Sequence, residues 1–179
     1  DVSADPEAVD RLLERYPGHS LTVTAMTATG AERVRALADG RQDGRLVHHF
    51  VPLDFPHAAA RFVERLRPEI ALFFETELWP NLLHACRTRG VPVAVLNGRL
   101  SPRALRGYRR LRPLLREALG CVGWLAAKSD EDAARFAELG MAAERTSVVG
   151  SLKFDIAPED GVQKVSERLR TLLGRRQVW

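Results

Sequence analysis

Cysteine is scarce in this chain, since only Cys86 and Cys121 occur among its 179 residues and neither has a partner at a metal-binding spacing. This scarcity argues against a disulfide framework and indicates free thiols in a reducing compartment, which predicts a cytoplasmic location. Long apolar runs are missing too, because no stretch approaches the ~20 residues that span a bilayer. Residues 1–15 are acidic and polar, so the sequence predicts no signal peptide.

Two common ligand signatures are also absent. The G-x-G-x-x-G fingerprint of dinucleotide-binding domains does not occur, which argues against a dehydrogenase. The five histidines are scattered, and the pair His48 and His49 has no further ligand at metal spacing. We therefore expect neither a metal site nor a cofactor.

The chain does contain an ordinary globular composition, with 45% hydrophobic and 28% charged residues and a formal net charge of +4. A length of 179 residues suits one domain with a core large enough for independent stability. Strand-like segments occupy residues 21–24, 46–51, 70–74, 93–96, 124–127 and 147–149. Helix-like segments occupy residues 6–16, 30–38, 56–66, 80–89, 102–119, 130–139 and 159–173. This alternation predicts an α/β fold, with a Rossmann-like parallel sheet and helices on both faces.

Two carboxylates follow the third predicted strand, where an apolar segment ends and a helix begins. Glu75 and Glu77 occupy this exit. A buried charge is costly unless it is paired, and open α/β sheets hold ligands at the carboxyl ends of their strands. Both acids are therefore candidate site residues. The alternative is that Glu77 begins the helix and Glu75 pairs with an arginine.

A hydroxyl-rich loop follows the first predicted strand and leads into a helix. Thr27, Thr29 and Gly30 could contact an anion at this helix N-terminus, where unpaired N–H groups carry partial positive charge. The alternative is an ordinary cap, with Thr29 as the N-cap and Glu32 completing a capping box.

A polar loop follows the fourth predicted strand. Asn97 and Ser101 could hydrogen-bond a substrate, and Arg99 could hold an anion. The alternative makes Ser101 an N-cap with Pro102 at the first helical position, which accounts for Ser101 but leaves Arg99 unexplained.

Seven arginines lie between Arg99 and Arg116, and they include Arg106 and Arg109 in the helical segment predicted over 102–119. We expect this segment to be one helix or two, with an interruption near Pro113. Apolar positions expected to face the core on this helix are Tyr108, Leu111, Leu115 and Leu119. The arginine side is either a solvated face or a patch for lipid phosphates or an anionic membrane surface. These arginines lack the run of interleaved aromatic residues found in proteins that bind single-stranded nucleic acid by base stacking, so we expect no nucleic-acid partner.

The last candidate follows the final predicted strand. Lys153 either pairs with Asp155 at the surface or reaches over the sheet edge toward the acids. We place a Rossmann-like domain at residues 1–156 and a linker with a helix at residues 157–179, because Asp155, Pro158 and Gly161 resemble a hinge.

Together these segments resemble the N-terminal domain of the 3-deoxy-D-manno-octulosonic acid (Kdo) transferases of lipopolysaccharide synthesis. The similarity runs from Glu14 to Asp155 and is strongest in residues 24–34, 75–82, 97–101 and 150–155. The resemblance implies a GT-B fold, in which the N-terminal domain binds the lipid A precursor and a C-terminal domain binds CMP-Kdo. It implies inverting Kdo transfer to a glucosamine hydroxyl at the cytoplasmic face of the bacterial inner membrane.

The resemblance also implies roles for individual residues. Glu75 and Lys153 match positions that stabilise the transition state, where prearranged charge lowers the barrier. The family's Ser-Val-Gly-Glu segment, whose glutamate is its general base, has no counterpart here. Asp1 stands near that place, but we assign it no role. The membrane anchor and the donor-binding domain have no counterpart either, so we expect this chain to be inactive alone. Two other hypotheses are a non-catalytic module for anionic surfaces and a GT-B half with another acceptor.

Overall fold

A computed structural model describes residues 6–150 of the chain. The helices in this range are α1 (Pro6–Arg15), α2 (Ala28–Asp39), α3 (Pro56–Leu66), α4 (Pro80–Thr88), α5 (Pro102–Tyr108), α6 (Arg112–Gly120) and α7 (Asp130–Leu139). The strands are β1 (Leu21–Ala25), β2 (Leu46–Phe50), β3 (Ala71–Phe74), β4 (Val93–Gly98), β5 (Trp124–Ala127) and β6 (Thr146–Val148). Within residues 6–150, no helix combines the length and the apolarity that a bilayer crossing needs. The predicted helix over 159–173 and the boundary near residue 156 lie outside the described residues.

Every strand pair in the described range is parallel, which confirms the α/β prediction. The strands form two separate ladders, one of order β1-β2 and one of order β3-β4-β5-β6. β1 and β3 share no ladder, so the strands do not make the one continuous sheet that a Rossmann-like pattern suggests. Short contacts nevertheless join the ladders at both ends. His19 before β1 meets Glu69 before β3 at 3.1 Å, and Asp54 after β2 bonds to Asn81 after β3.

The main core surrounds β4. Val93, Ala94 and Val95 are consecutive and all buried. Because successive strand residues point to opposite faces, both faces of this strand are covered, as expected for a central parallel strand. A second and smaller cluster consists of Val9, Leu13 and Leu46, and it lies beneath the β1-β2 ladder.

Residues 102–119 form two helices, which confirms the expected break near Pro113. A 3₁₀ turn at Arg109–Leu111 separates α5 from α6, and α6 begins with Pro113 in its first turn, where proline is tolerated. The turn interrupts the helical period, so Leu111 is 53% exposed and its predicted core position is wrong. Leu115 and Leu119 beyond the turn are buried as predicted.

Candidate functional site

The carboxyl ends of the strands meet at one edge, which we call the exit edge. Parallel ladder β3-β4-β5-β6 brings the residues after β3 and β4 side by side there. The Asp54 contacts to α4 bring the end of β2 to the same edge. Most of the candidate site residues follow strands at this edge.

Glu75 follows β3 directly in an uncommon backbone conformation. Its φ is +56°, in the left-handed region, and its N–H donates to the Leu96 carbonyl at 2.8 Å. Its side chain is half-buried and forms no ion pair with any residue between 6 and 150, so the alternative of an arginine partner fails in that range. The carboxylate is thus held at the exit edge by its backbone and remains open to a ligand.

Asn97 stands beside Glu75 on the neighbouring strand. Phe74 pairs with Leu96 in the ladder, so Glu75 and Asn97 each come one residue after a paired position. Asn97 also has a left-handed φ of +53°. Left-handed residues other than glycine are uncommon and cost free energy, and such strain clusters at functional sites.

The Asn97 side chain is buried with an unused acceptor. The residue is 7% exposed, and its Oδ1 has no hydrogen-bond partner among residues 6–150. An unsatisfied buried carbonyl costs about 1–3 kcal/mol. A hydrogen-bond donor that reached Oδ1 would remove that cost, so Asn97 stays a candidate binding residue of the edge.

Arg99 and Ser101 complete the loop after β4. Arg99 is exposed and forms no ion pair within the described range. Ser101 is the N-cap of α5 and accepts from the Ala104 N–H at 3.1 Å, with Pro102 at the first helical position, so the structural alternative for Ser101 is confirmed. Arg99, in contrast, has no structural role in residues 6–150.

The last residue of β4, Gly98, is enclosed by the core. A Cβ added to Gly98 would lie 2.7 Å from Leu125 Cδ1 and 3.4 Å from Phe136 Cε2. The end of β4, where the loop with Arg99 starts, therefore lies directly against the main core.

Two residues that the sequence analysis missed hold this loop in place. Asp132 Oδ1 accepts from the Leu100 N–H at 2.8 Å, and Arg135 Nη1 donates to the Leu100 carbonyl at 3.0 Å. Both belong to α7, more than thirty residues away in sequence. Asp132 is an ordinary acid in the first turn of a predicted helix, so nothing in the sequence marks its long-range partner.

The predicted cap of α2 is wrong. The helix begins at Ala28, its N-cap is Thr27, and the Thr27 hydroxyl accepts from the Gly30 N–H at 3.1 Å. Thr29 is therefore inside the helix, and Glu32 cannot complete a capping box with it. Thr27 has the extended backbone that an N-cap requires, with φ −107° and ψ 149°.

The predicted start of α4 at residue 80 is confirmed, and the alternative that Glu77 begins this helix is wrong. The helix begins at Pro80, so Glu77 lies before it, is exposed and accepts from Trp79 Nε1 at 3.4 Å. The acid that serves this helix is Asp54, whose carboxylate accepts from the N–H groups of Asn81 at 3.1 Å and Leu82 at 2.9 Å. Asp54 was missed because it lies 27 residues before the helix that it caps.

Two arginines of the α5 region, Arg106 and Arg109, differ in whether an acid partner engages them. Arg106 is exposed and has no acid partner in residues 6–150, whereas Arg109 Nε bonds to Glu138 Oε1 at 2.5 Å. This hydrogen bond raises the pKa of Arg109 and lowers the pKa of Glu138.

An open hollow of about 520 Å³ lies along α5, lined by Ser101, Arg103, Ala104, Gly107, Tyr108 and Leu111.

Large apolar side chains are exposed beside the exit edge. They lie at the end of β2 or after β1 and β2, and they are Met26, Phe50, Leu53 and Phe55. The remaining candidate, Lys153, lies outside the described residues, as do Ser151 and Asp155. The structure therefore brings Glu75, Asn97 and Arg99 to one edge and leaves the lysine untested.

Comparison with known proteins gives consistent matches. The family model described as 3-Deoxy-D-manno-octulosonic-acid transferase (kdotransferase) matches residues 2–156. The chain is 33% identical to the 3-deoxy-D-manno-octulosonic acid transferase of Haemophilus influenzae over 100% of its own length and 41% of that protein. It is 41% identical to the enzyme of the same name from Bordetella pertussis, over 98% of the chain and 40% of that protein. The chain thus spans about two fifths of the length of these relatives.

Among solved structures, the chain is similar to a UDP-GlcNAc 2-epimerase from Neisseria meningitidis. The TM-score is 0.52 with 11% sequence identity, over 94% of this chain and 51% of the epimerase. Similarity at this level of identity supports the fold alone.

Proposed function

The chain belongs to the 3-deoxy-D-manno-octulosonic-acid transferase family, and from this premise we propose that it is the acceptor-binding half of an inverting GT-B glycosyltransferase. The whole enzyme would transfer Kdo from CMP-Kdo to the lipid A precursor at the cytoplasmic face of the inner membrane. The observation that carries the proposal is the pair of adjacent left-handed residues, Glu75 and Asn97, at the exit edge.

Each residue of the edge has a chemical task in this proposal. The acceptor is a phosphorylated glucosamine disaccharide, which offers hydroxyl donors and phosphate oxygens. A sugar hydroxyl donates to Asn97 Oδ1, which is buried and unpartnered in the described range. Arg99 binds a phosphate, because a guanidinium presents paired donors to two oxygens.

Catalysis would depend on charge held in place before the reaction. Negative charge develops on the departing CMP and positive character on the sugar, and preorganised charged groups lower this barrier. Glu75 stabilises the electron-poor sugar carbon, and Lys153 stabilises the leaving group. Neither residue is assigned as the general base.

The remaining candidates contribute to acceptor and membrane contacts. Thr27, Gly30 and Glu77 lie next to the exit edge, and Thr29 is exposed on the first turn of α2. The exposed apolar side chains after β1 and β2 offer a surface for the acyl chains of the acceptor. Arg106 supplies positive charge for an anionic lipid surface, worth about 1 kcal/mol near a bilayer.

A binding titration tests the acceptor site. The ligand is the tetra-acylated, bisphosphorylated lipid A precursor in detergent, and the protein is the full 179-residue chain. We expect saturable binding that Arg99→Ala weakens about tenfold or more, since a charge-assisted hydrogen bond contributes about 1.5–3 kcal/mol. Arg109→Ala should weaken binding less, because Glu138 already engages that guanidinium.

The matched control is Arg65→Ala. Arg65 is an exposed arginine in the last turn of α3, which leads to the start of β3 and thus to the opposite edge. Equal losses from Arg99→Ala and Arg65→Ala, or no saturable binding at all, would contradict the acceptor site.

A second experiment tests catalysis in the full-length enzyme that contains this chain. Glu75→Gln and Lys153→Ala should each lower kcat by about 10²–10³-fold, the loss typical of removing one preorganised stabilising group. Near-normal turnover in either variant would remove the role proposed for that residue.

Two alternatives make different predictions. The Arg106 guanidinium is exposed and has no acid partner within residues 6–150, which favours, as a second candidate, a non-catalytic module for anionic surfaces. Such a module would bind any anionic vesicle, with strong salt dependence and no preference for the lipid A precursor. A GT-B half with another acceptor would instead bind a different phosphorylated glycan from a panel more tightly.

A further inference from the structure

We propose that Asp132 and Arg135 are positioning residues that hold Arg99 in place to bind a phosphate of the acceptor. The inference rests on the proposed function, and it adds residues from α7 that do not touch the ligand. We call the set of contacts that these two residues make with Leu100 the Leu100 clamp.

The Leu100 clamp is a closed ring of hydrogen bonds. The Leu100 N–H donates to Asp132 Oδ1 at 2.8 Å, and Arg135 Nη1 donates to the Leu100 carbonyl at 3.0 Å. The same Arg135 nitrogen donates to Asp132 Oδ1 at 3.1 Å, which closes the ring. Both polar groups of one backbone residue are therefore fixed by a single ion pair on another element.

The acid of the clamp is itself held in position. Asp132 is 6% exposed, so its charge is almost fully removed from water. Its second oxygen, Oδ2, accepts from the Ser129 hydroxyl at 3.1 Å, and its N–H donates to the same hydroxyl at 3.2 Å. A buried carboxylate with both oxygens hydrogen-bonded forms a rigid anchor, because loss of Arg135 would leave its charge uncompensated and loss of another donor would leave an oxygen unsatisfied.

The clamp acts on a loop that is constrained on both sides of Arg99. Before Arg99, Asn97 has a left-handed backbone and Gly98 lies against the core. After Arg99, the Leu100 side chain is fully buried. The chain between these constraints has little freedom, and Arg99 is the residue of this segment that reaches solvent.

This arrangement has a direct consequence for affinity. A long arginine side chain on a mobile loop loses backbone and rotamer freedom when it binds an anion, which weakens binding. The clamp removes the backbone part of that loss before the ligand arrives. The effect of the clamp on binding must therefore pass through Arg99, which separates a positioning role from a general stabilising one.

A double-mutant cycle tests this dependence in the full chain. The variants are Arg135→Met, Arg99→Ala and their combination, and the probe is the tetra-acylated, bisphosphorylated lipid A precursor. We expect Arg135→Met to raise Kd about tenfold when Arg99 is present and to leave Kd unchanged when Arg99 is alanine. Amide hydrogen exchange at Leu100 should become faster in Arg135→Met, as the clamp opens.

The matched control is Arg145→Met. Arg145 Nη1 donates to the Val122 carbonyl at 2.8 Å, and this is also a hydrogen bond from an arginine to a backbone carbonyl. Val122 precedes β5, so the contact lies at the edge of the sheet opposite to the exit edge. We expect a smaller loss of thermal stability than in Arg135→Met, which also leaves the buried Asp132 charge unpaired, and an unchanged Kd. If Arg135→Met does not fold, Asp132→Asn is the second variant. It keeps an acceptor for the Leu100 N–H, weakens the contact with Arg135, and should raise Kd in the same direction by a smaller factor.

The possible results separate the two proposals. Additive effects of Arg135→Met and Arg99→Ala, or an unchanged Kd in Arg135→Met, would overturn the positioning role while the acceptor site stands. If the wild-type chain shows no saturable binding, the proposed acceptor site is overturned, and so is the phosphate ligand proposed for Arg99. A Kd change in Arg145→Met equal to that in Arg135→Met would reduce the clamp to general stabilisation.

Discussion

The enclosure of Gly98 makes alanine at this position a sharp test of the exit edge. An added Cβ would meet Leu125 Cδ1 at 2.7 Å and the Ala126 carbonyl at 3.4 Å. Carbon atoms in contact prefer about 3.5–4.0 Å, so the methyl group would overlap Leu125 by about 1 Å. Leu125 is fully buried in the main core, so a shift of its terminal methyl group would press on its core neighbours.

The overlap translates into a measurable loss of stability. Inserting a methyl group into a close-packed core costs about 1–3 kcal/mol. We therefore expect Gly98→Ala to lower the free energy of unfolding by about 2 kcal/mol. For a domain of this size the corresponding fall in Tm is about 4–8 °C. Urea unfolding followed by circular dichroism measures the free energy, and a thermal scan measures Tm.

Two comparisons isolate the clash as the cause. Gly107→Ala is the matched control, because nothing lies within 4 Å of its added Cβ and alanine favours the helix α5 by about 0.5–1 kcal/mol. Leu125→Val shortens the opposing side chain, so Gly98→Ala should cost less in that background. An equal cost in both backgrounds, or a cost below about 0.5 kcal/mol in the wild type, would refute the packing described for this edge.

Three further predictions concern caps and thiols. Asp54→Ala should lower the free energy of unfolding by about 1–2 kcal/mol in a urea titration, because α4 loses its capping acceptor. Thr27→Ala should cost about 1 kcal/mol and Thr29→Ala only a few tenths, measured in the same way. Burial raises the pKa of the Cys86 thiol to about 11, so a thiol reagent at pH 8 should modify Cys121 and spare Cys86 until the chain unfolds.

The cysteine prediction also fixes the direction of a pH effect. The neutral Cys86 thiol is favoured in the folded state, so its contribution to stability is complete below the ordinary pKa of 9.0 and is lost as the pH rises through about 11. Cys86→Ala should remove this alkaline dependence.

For the Asp54 test, Asp39→Ala is the matched control, since this exposed acid lies at the C-terminal end of α2 and opposes the helix dipole there. Equal losses in the two aspartate variants would contradict the capping role.

Local patterns predicted the elements well, and long-range contacts lay beyond them. The strand at 93–96 and the helices at 56–66 and 130–139 follow from periodicity, proline and glycine, which act within a few residues. The N-cap of α2 was misplaced by two residues because Thr27 and Thr29 are both good caps and only the backbone distinguishes them.

The candidate site was predicted only in part, because local patterns place some of its residues and long-range contacts place the others. Glu75 directly follows β3, and Asn97 and Arg99 lie at and just after the end of β4, so the parallel topology is enough to bring them to one edge. The Leu100 clamp and the Asp54 cap join residues about thirty positions apart, and their partners are backbone groups that leave no trace in side-chain identity. Side chains that hold the site were therefore harder to find than side chains that form it.

The two ladders have a consequence for how the chain opens. The cluster of Val9, Leu13 and Leu46 buries far less surface than the core around β4, and no ladder joins β1 to β3. Segments with few buried contacts unfold locally at a fraction of the global free energy. When the first third of the chain detaches in this way, the outer backbone of β3 becomes a template for a strand from another molecule. Heating or storage would then cause self-association while the sheet around β4 is still folded.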